Sequence, residues 1–247
     1  RTGEVIASER VEGDAESGLF ALVDDLTGRV RRRIEAPVRA RVRGTPPEPP
    51  APPGEARHAE WRWKEKKLQE VTTSSIGAMK AYAEGSRLHD RLQEREAQAW
   101  FEKAVEKDPG FAMALAKLSI VHGNLGDVEK ARAYAAKAVE KSGNLPPGQR
   151  FYIEGRHHSL DPGSIEKAAA AYQKAVDADP DHTAARNNLA QILIDLRRYP
   201  EALVHLEELS RRGMTFPGSY MSLAQAHVAT GRPERAREVL EGYAKEH

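Results

Sequence analysis

Residues 168–180, AAAAYQKAVDADP, contain the pattern that decides the fold of this chain. Ala168 and Ala175 are seven residues apart, Tyr172 lies between them, and Pro180 follows five residues later. On a helix these positions share one face, where two small side chains let a second helix approach and the aromatic ring fills the space beside it. Proline then ends the helix, because it has no N–H and clashes with the preceding turn. The stretch therefore predicts the second helix of a closely packed antiparallel pair.

The same pattern recurs along the chain. Its first alanine has counterparts at intervals of 34, 37, 34 and 34 residues, namely Ala97, Ala131, Ala168, Ala202 and Ala236. Small and aromatic companions recur with it, as Phe101 and Ala104 do in the first copy. Residues 76–247 therefore resemble an array of tetratricopeptide repeats (TPRs), whose 34-residue unit is a helix–turn–helix. The resemblance implies a mainly α fold, a TPR α-solenoid of five repeats, with turns near Gly126, Gly163 and Gly231.

Three regions follow from this pattern. We predict a strand–helix fragment of an α/β domain at residues 1–36, a proline-rich linker at 37–60, and the TPR solenoid with a lead-in helix at 61–247. The five repeats are predicted at about 78–111, 112–148, 149–182, 183–216 and 217–247. The second repeat departs from the pattern by a three-residue insertion, which delays its closing proline to Pro146 and Pro147.

The first region contains a predicted strand at residues 4–11, EVIASERV, and a predicted helix at about 17–34. This segment is similar to the end of a TolB-amino-terminal-like α/β segment, and residues 71–85 resemble the junction that joins such segments to TPR arrays. The resemblance implies a larger bacterial protein, in which such arrays accompany kinases, cyclases or membrane-tethered transcription regulators. The chain, which begins at Arg1, is expected to be a piece of something longer or a processed product.

Positive charge is concentrated in one segment. The whole chain has a formal net charge of +1, so nucleic-acid binding is not expected, but residues 29–67 contain nine arginines, three lysines and five glutamates, a net +7. Such a segment could contact acidic phospholipids or, locally, nucleic acid. A solvated linker is the simpler interpretation, because seven of the fifteen prolines lie between Pro37 and Pro53. The sequence has no run of 18 apolar residues typical of a membrane span, and the compartment is left open.

Catalytic and metal-binding patterns are missing from the sequence. The chain has no cysteine, no glycine-rich phosphate loop and no nucleophile elbow, so we expect no enzyme activity and no cofactor. Nine histidines occur without the spacing of a metal site. His122 and His227 are interpreted as packing or hydrogen-bonding residues within the repeats. Residues 177–188 lack the glycine and glutamate of a calcium loop.

The TPR resemblance implies that partners bind along the first helix of each repeat. The positions that would line this groove are Met79, Tyr82, Ser86, His89, Met113, Ala116, Ile120, Asn124, Arg150, Ile153, His157, Leu160, Asn187, Gln191, Asp195, Met221 and Gln225. Tyr82 and Ser86 occupy the places where TPRs that bind chaperone tails have lysine and asparagine. A protein or peptide partner other than a chaperone tail is therefore expected.

We thus expect a non-catalytic scaffold for protein–protein interaction, in the partner-binding part of a bacterial signalling protein. The alternative is a structural subunit that self-assembles into an oligomer or fibre through an open strand and an uncapped last repeat. The residues of that alternative are Glu4, Val5, Ile6, Ala7, Ser8, Glu9, Val239 and Leu240.

Overall fold

The computed structural model describes residues 73–213 and 217–246. The predicted strand at 4–11, the helix at 17–34, the linker at 37–60 and the lead-in helix at 61–70 lie outside these residues. So does the TolB-like resemblance in the first region. The described residues contain no strand.

Ten α-helices make up the described part of the chain, which confirms the predicted all-helical TPR architecture. We number them α1 Ile76–His89, α2 Glu94–Lys107, α3 Ala112–Asn124, α4 Val128–Lys141, α5 Pro147–Ser159, α6 Ile165–Ala178, α7 Thr183–Asp195, α8 Tyr199–Arg211, α9 Pro217–Ala229 and α10 Pro233–Glu246. Short 3-10 helices at Ser142–Asn144 and Pro162–Ser164 precede α5 and α6. Odd-numbered and even-numbered helices are the first and second helices of successive repeats.

The chain divides into two compact units, the first ending at Ala114 and the second beginning at Leu115. In the first unit, α1 packs on α2. Its buried core consists of Ala78, Ala81, Ala104, Phe111 and Ala114. The junction before α1 is anchored to the end of α2, because the Thr73 hydroxyl donates a hydrogen bond to the Asp108 carboxylate. Ser75 then caps α1 by accepting a hydrogen bond from the Ala78 N–H.

In the second unit, α5 packs on α6, α7 on α8, and α9 on α10. The recurring alanine is buried in each of these second helices and in α4, as Ala131, Ala168, Ala202 and Ala236. The contact between α3 and α4 includes the His122 ring stacked on the Tyr134 ring, with centroids 5.3 Å apart. His122 and His227 are both buried, in agreement with their interpretation as packing residues.

Four of the five turns within repeats share one backbone geometry. The residue five places before each recurring alanine has a positive φ, and these residues are Leu92 (61°), Gly126 (83°), Arg197 (59°) and Gly231 (75°). At the first of these turns, the Gln93 N–H donates to the Leu88 carbonyl and the Leu92 N–H donates to the His89 carbonyl. The equivalent two hydrogen bonds are present at the other three turns. This is the Schellman helix end, which favours glycine because a Cβ is strained at positive φ. In the third repeat Gly163 lies in a 3-10 turn, where Asp161 accepts a hydrogen bond from its N–H.

The insertion in the second repeat has a different role from the one predicted. Helix α4 ends at Lys141 without a proline, and the 3-10 turn Ser142–Asn144 follows it. Pro147 is instead the first residue of α5. Proline is favoured there because the first N–H groups of a helix have no internal partner and its φ is already suitable.

Candidate partner-binding face

The exposed side of α7 and α9 is the candidate binding surface in the second unit, and we call it the α7–α9 face. It contains Asn187, Gln191 and Asp195 of α7, spaced four residues apart and therefore along one side of the helix. From α9 it contains Met221 and Gln225, again four residues apart. All five are predicted groove residues, and the structure brings them together because α7 and α9 are in contact.

Two hydrogen bonds join α7 to α9 across this face. The Ser219 hydroxyl donates to Asn187 Oδ1 at 2.8 Å, and the Ser222 hydroxyl donates to Gln191 Oε1 at 3.0 Å. Gln191 Nε2 in turn donates to Asp195 Oδ1 at 3.3 Å. With its oxygen occupied by Ser219, the Asn187 amide presents its NH₂ group as a donor. The sequence analysis did not identify Ser219 and Ser222, because their role depends on the distance between two helices.

Helix α9 also contributes two large apolar side chains to the surface. Met221 is 64% exposed and Val228 is 58% exposed. They are seven residues apart, which places them on the same side of the helix about 10.5 Å from each other. Val228 is absent from the predicted groove residues. The spacing of Met221 and Gln225 could have identified it, since i, i+4 and i+7 share a helix face.

Helices α7 and α9 contain only two formally charged residues, and both belong to α7. Asp195 is exposed, and Arg186, the other formally charged residue of α7, is buried. Arg186 Nη2 donates to the Pro180 carbonyl at 2.8 Å, and its Nη1 lies 3.5 Å from Nδ1 of His205. Helix α9 has no lysine, arginine, aspartate or glutamate. Asp195 therefore supplies the exposed formal charge of the α7–α9 face.

The predicted groove residues of α5 have mixed environments. Arg150 lies over the Phe151 ring, 5.1 Å from its centroid, with Nε 3.9 Å from Glu154 Oε1. His157 is half-buried beside His158, with ring centroids 5.5 Å apart. Ile153 is only 1% exposed. Its side chain therefore belongs to the core, where burial of an aliphatic group is most favourable, and cannot contact a partner.

Ala116 of α3 is likewise buried and unavailable to a partner. Ile120 is half-buried and Asn124 is exposed near the end of the same helix. Leu160, directly after α5, is half-buried and accepts hydrogen bonds from Arg132 through its carbonyl oxygen. Part of the surface remains accessible at the other predicted groove residues of this region, namely Ile120, Asn124, Arg150, His157 and Leu160.

In the first unit, the predicted groove residues are largely packing residues. Met79, Tyr82 and Met113 pack against the buried core. The Tyr82 ring centroid lies 5.8 Å from that of Phe101 and 5.0 Å from that of Phe111.

Burial raises the pKa of the Tyr82 hydroxyl. Ser86 is half-buried on the same helix, and His89 Nδ1 lies 3.0 Å from Glu94 Oε2, across the turn between α1 and α2. The ring contacts of Tyr82 with Phe101 and Phe111 thus make it a packing residue of the first repeat.

A cleft of about 680 Å³ lies between α8 and α10, and two residues of α9 also line it. Leu223, His227 and Val239 provide its apolar and imidazole lining, while Arg211 and Arg235 lie at its charged margins. Both arginines are paired within their own helices, with Glu208 and Glu238 respectively. Leu240, next to Val239, is 40% exposed. Val239 and Leu240, which are predicted to take part in self-association, are therefore both at least partly exposed.

The chain belongs to the tetratricopeptide repeat family. Residues 82–146, 159–217 and 193–247 match family models described as tetratricopeptide repeat, and together these matches cover more than half of the chain. No curated protein sequence matches the chain. TPR proteins are generally scaffolds that bind protein or peptide partners, and the TPR fold is generally non-catalytic.

Several solved structures share the fold. TTC0263, a thermophilic TPR protein of Thermus thermophilus, is 20% identical, with a TM-score of 0.54 over 68% of this chain and 89% of that one. PilW, a type IV pilus biogenesis factor, is 17% identical, with a TM-score of 0.55 over 70% and 78%. PilF of Pseudomonas aeruginosa is 18% identical, with a TM-score of 0.52 over 69% and 77%. At these identities the likeness concerns the fold alone.

Among the described residues, no helix is both long and apolar enough to cross a membrane. The same residues contain no group of three or more histidine, aspartate or glutamate side chains placed to hold a metal ion. The α7–α9 face offers hydrogen-bonding groups, exposed apolar side chains and one exposed carboxylate.

Proposed function

We propose that this chain is a protein–protein interaction scaffold that binds a segment of its partner on the α7–α9 face. The observation that carries the proposal is the joining of Asn187 to Ser219 and of Gln191 to Ser222. These bonds hold the amides in one orientation before a partner arrives, which lowers the entropy lost on binding. The exposed Met221 adds an adaptable apolar contact of a kind that suits peptide recognition.

Site-specific photocrosslinking tests this proposal. A photoreactive amino acid at position 221 should trap a partner when the chain is produced in its own cell. The control is position 204 on α8, because Val204 and Met221 are both 64% exposed. The trapped protein is identified by mass spectrometry, and binding of its purified form to the chain is then measured directly.

Asn187→Ala and Met221→Ser should each weaken that binding by about tenfold, in line with the roughly 1–2 kcal/mol of a good interface contact. Val204→Ser should leave it unchanged. The thermal midpoint of every variant is measured beside the affinity, so that loss of fold is separated from loss of contact. Equal trapping at both positions, or a greater effect of Val204→Ser, would contradict the proposal.

The wider role that we propose is the partner-binding part of a larger bacterial signalling protein. It is supported by the resemblance of residues 3–34 to a TolB-amino-terminal-like segment and by the junction at 71–85. Thr73 and Ser75 of that junction make specific hydrogen bonds in the first repeat, so the junction is integrated with the array. The sequence of the complete reading frame tests this role. We expect a kinase, cyclase or transcription-regulator domain before Arg1, and a frame without such a domain would contradict it.

Self-association is the second candidate function, favoured by the exposure of Leu240 beside the α8–α10 cleft. Residues 4–9 would provide a second contact if they form the predicted open strand. Sedimentation velocity at high micromolar concentration should then show an oligomer that Leu240→Glu or deletion of residues 1–12 dissociates. Val204→Glu is the control for an added surface charge. A monomer at that concentration would exclude this function.

A further inference from the structure

We propose that the ligand of the α7–α9 face is an extended peptide that carries a lysine or arginine and two aliphatic side chains three residues apart. The inference rests on the proposed function and specifies the class of partner. It combines the spacing of two apolar residues, the orientation of one amide and the charge of the face.

The apolar contacts set the spacing within the peptide. Met221 and Val228, both more than half exposed, lie about 10.5 Å apart along α9, which corresponds to seven residues at 1.5 Å per residue. In the extended polyproline II conformation three residues span about 9 Å, and because this helix has three residues per turn the side chains at i and i+3 point to the same side. A peptide lying along α9 therefore places aliphatic side chains at positions i and i+3 against these two residues.

The amides set the backbone contact. Asn187 Oδ1 accepts the Ser219 hydroxyl at 2.8 Å, so the free part of this amide is its NH₂ group. Gln191 uses its oxygen for Ser222 and its nitrogen for Asp195, at 3.0 and 3.3 Å. A donor at the amino-terminal end of the face is matched by a carbonyl oxygen, which every residue of an extended peptide supplies.

The charge of the face selects against acidic ligands. Asp195 is exposed at the end of α7, whereas the Arg186 guanidinium is buried and bound to the Pro180 carbonyl. Helix α9 adds no cation. A peptide rich in aspartate or glutamate, or one held by its terminal carboxylate, would meet a carboxylate and no counter-charge on these two helices. A lysine or arginine would instead form an ion pair with Asp195.

A random peptide library displayed on phage and selected against the complete chain provides the ligands for the test. Enriched peptides should contain a lysine or arginine and aliphatic residues at i and i+3. The most enriched one is synthesised, and its affinity is measured by fluorescence anisotropy.

Asp195→Asn should weaken this affinity by roughly two- to fivefold, the usual contribution of one exposed ion pair. Asp195→Lys should weaken it further, and both differences should shrink as salt is added. The matched control is Asp177→Asn, because Asp177 is also exposed and accepts a hydrogen bond from a glutamine four residues earlier, Gln173, at 2.7 Å. That substitution should not change the affinity.

The outcomes distinguish failure of the basic-peptide inference from failure of the proposed binding face. Enrichment of acidic peptides, or an affinity insensitive to Asp195, would overturn the basic-peptide inference. If such peptides still depended on Asn187 and Met221, the proposed binding face would stand. A selection that enriches no peptide, or peptides indifferent to Asn187 and Met221, would count against both.

Discussion

Gly155 and Tyr172 approach so closely that any side chain at position 155 would force the Tyr172 ring to shift. A Cβ built on Gly155 would lie 2.6 Å from Cδ1 of the Tyr172 ring, well inside the normal contact distance. Gly155 belongs to α5 and Tyr172 to α6, so the contact sets the distance between the two helices of the third repeat. Gly85 and Phe101 have the same relationship in the first repeat, where the corresponding distance is 2.8 Å.

Gly155→Ala should therefore destabilise the protein by about 1–3 kcal/mol, because the added methyl group must displace a packed ring. The control is Gly242→Ala in α10, where a Cβ would meet nothing within 4 Å. That substitution should be neutral or stabilise by up to about 1 kcal/mol, since alanine is the better helix former. Urea unfolding followed by circular dichroism measures both, and equal effects at the two sites would contradict the packing argument.

Leu92→Gly and Arg197→Gly should each stabilise the protein by roughly 1 kcal/mol. Both residues hold a positive φ in the turn of their repeat, a conformation that strains any residue with a Cβ. Leu92 is 83% exposed, so its side chain contributes little packing that would be lost.

The reverse substitution, Gly126→Ala, should destabilise by a similar amount, although no atom lies within 4 Å of the added Cβ. Thermal denaturation of the three variants measures these effects. Destabilisation by both added glycines would show that side-chain contacts outweigh backbone strain at these turns.

Acid should destabilise the fourth repeat through His205. Burial lowers the pKa of His205, the Arg186 guanidinium lowers it further, and Asp177 and Glu201 act in the opposite direction. Below the ordinary histidine pKa of about 6.5, the unfolded chain therefore binds a proton that the folded chain still excludes. The free energy of unfolding should fall as the pH drops below about 6.5. The contribution of His205 to this fall should end once the pH is below the pKa of His205 in the folded protein.

Urea unfolding at several pH values between 7.5 and 5 tests this prediction. His205→Leu should reduce the slope of stability against pH, because the titrating group is gone. Part of the slope should remain in this variant, because burial also lowers the pKa values of His158, His182 and His227. An unchanged slope in the variant would show that His205 is accessible to protons in the folded protein.

Tyr82→Ala should destabilise the first unit by about 2–4 kcal/mol, since it removes a ring packed between Phe101 and Phe111. Tyr82→Phe keeps the ring contacts and should cost less than about 1.5 kcal/mol. Amide hydrogen exchange at α1 and α2 distinguishes local loosening from global unfolding. Equal stability of the two variants would mean that the ring contributes nothing to the core and is available for binding.

The recurring alanines were sufficient to predict the helices, because each helix pair needs a small residue where its two helices approach most closely. That need is met within one repeat and therefore appears in the sequence of each repeat. The glycine turns at 126 and 231 were readable for the same reason, since a helix end at positive φ favours glycine. The equivalent turns at Leu92 and Arg197 carry no such signal, and there the helix packing imposes the conformation on an unfavourable residue. Proline was a less reliable guide, as Pro147 begins α5 and does not end α4.

The sequence by itself determined the repeat, the helix pairs and the positions along each first helix that could face a partner. Only the tertiary structure decided which of those positions are accessible. Ile153 and Asn187 hold the same place in their repeats, yet Ile153 is in the core whereas Asn187 bonds to Ser219 on the next first helix. The physical reason is that periodicity determines the direction of a side chain relative to its own helix. Its burial and hydrogen bonds depend on the neighbouring helix, which the spacing within one repeat does not specify.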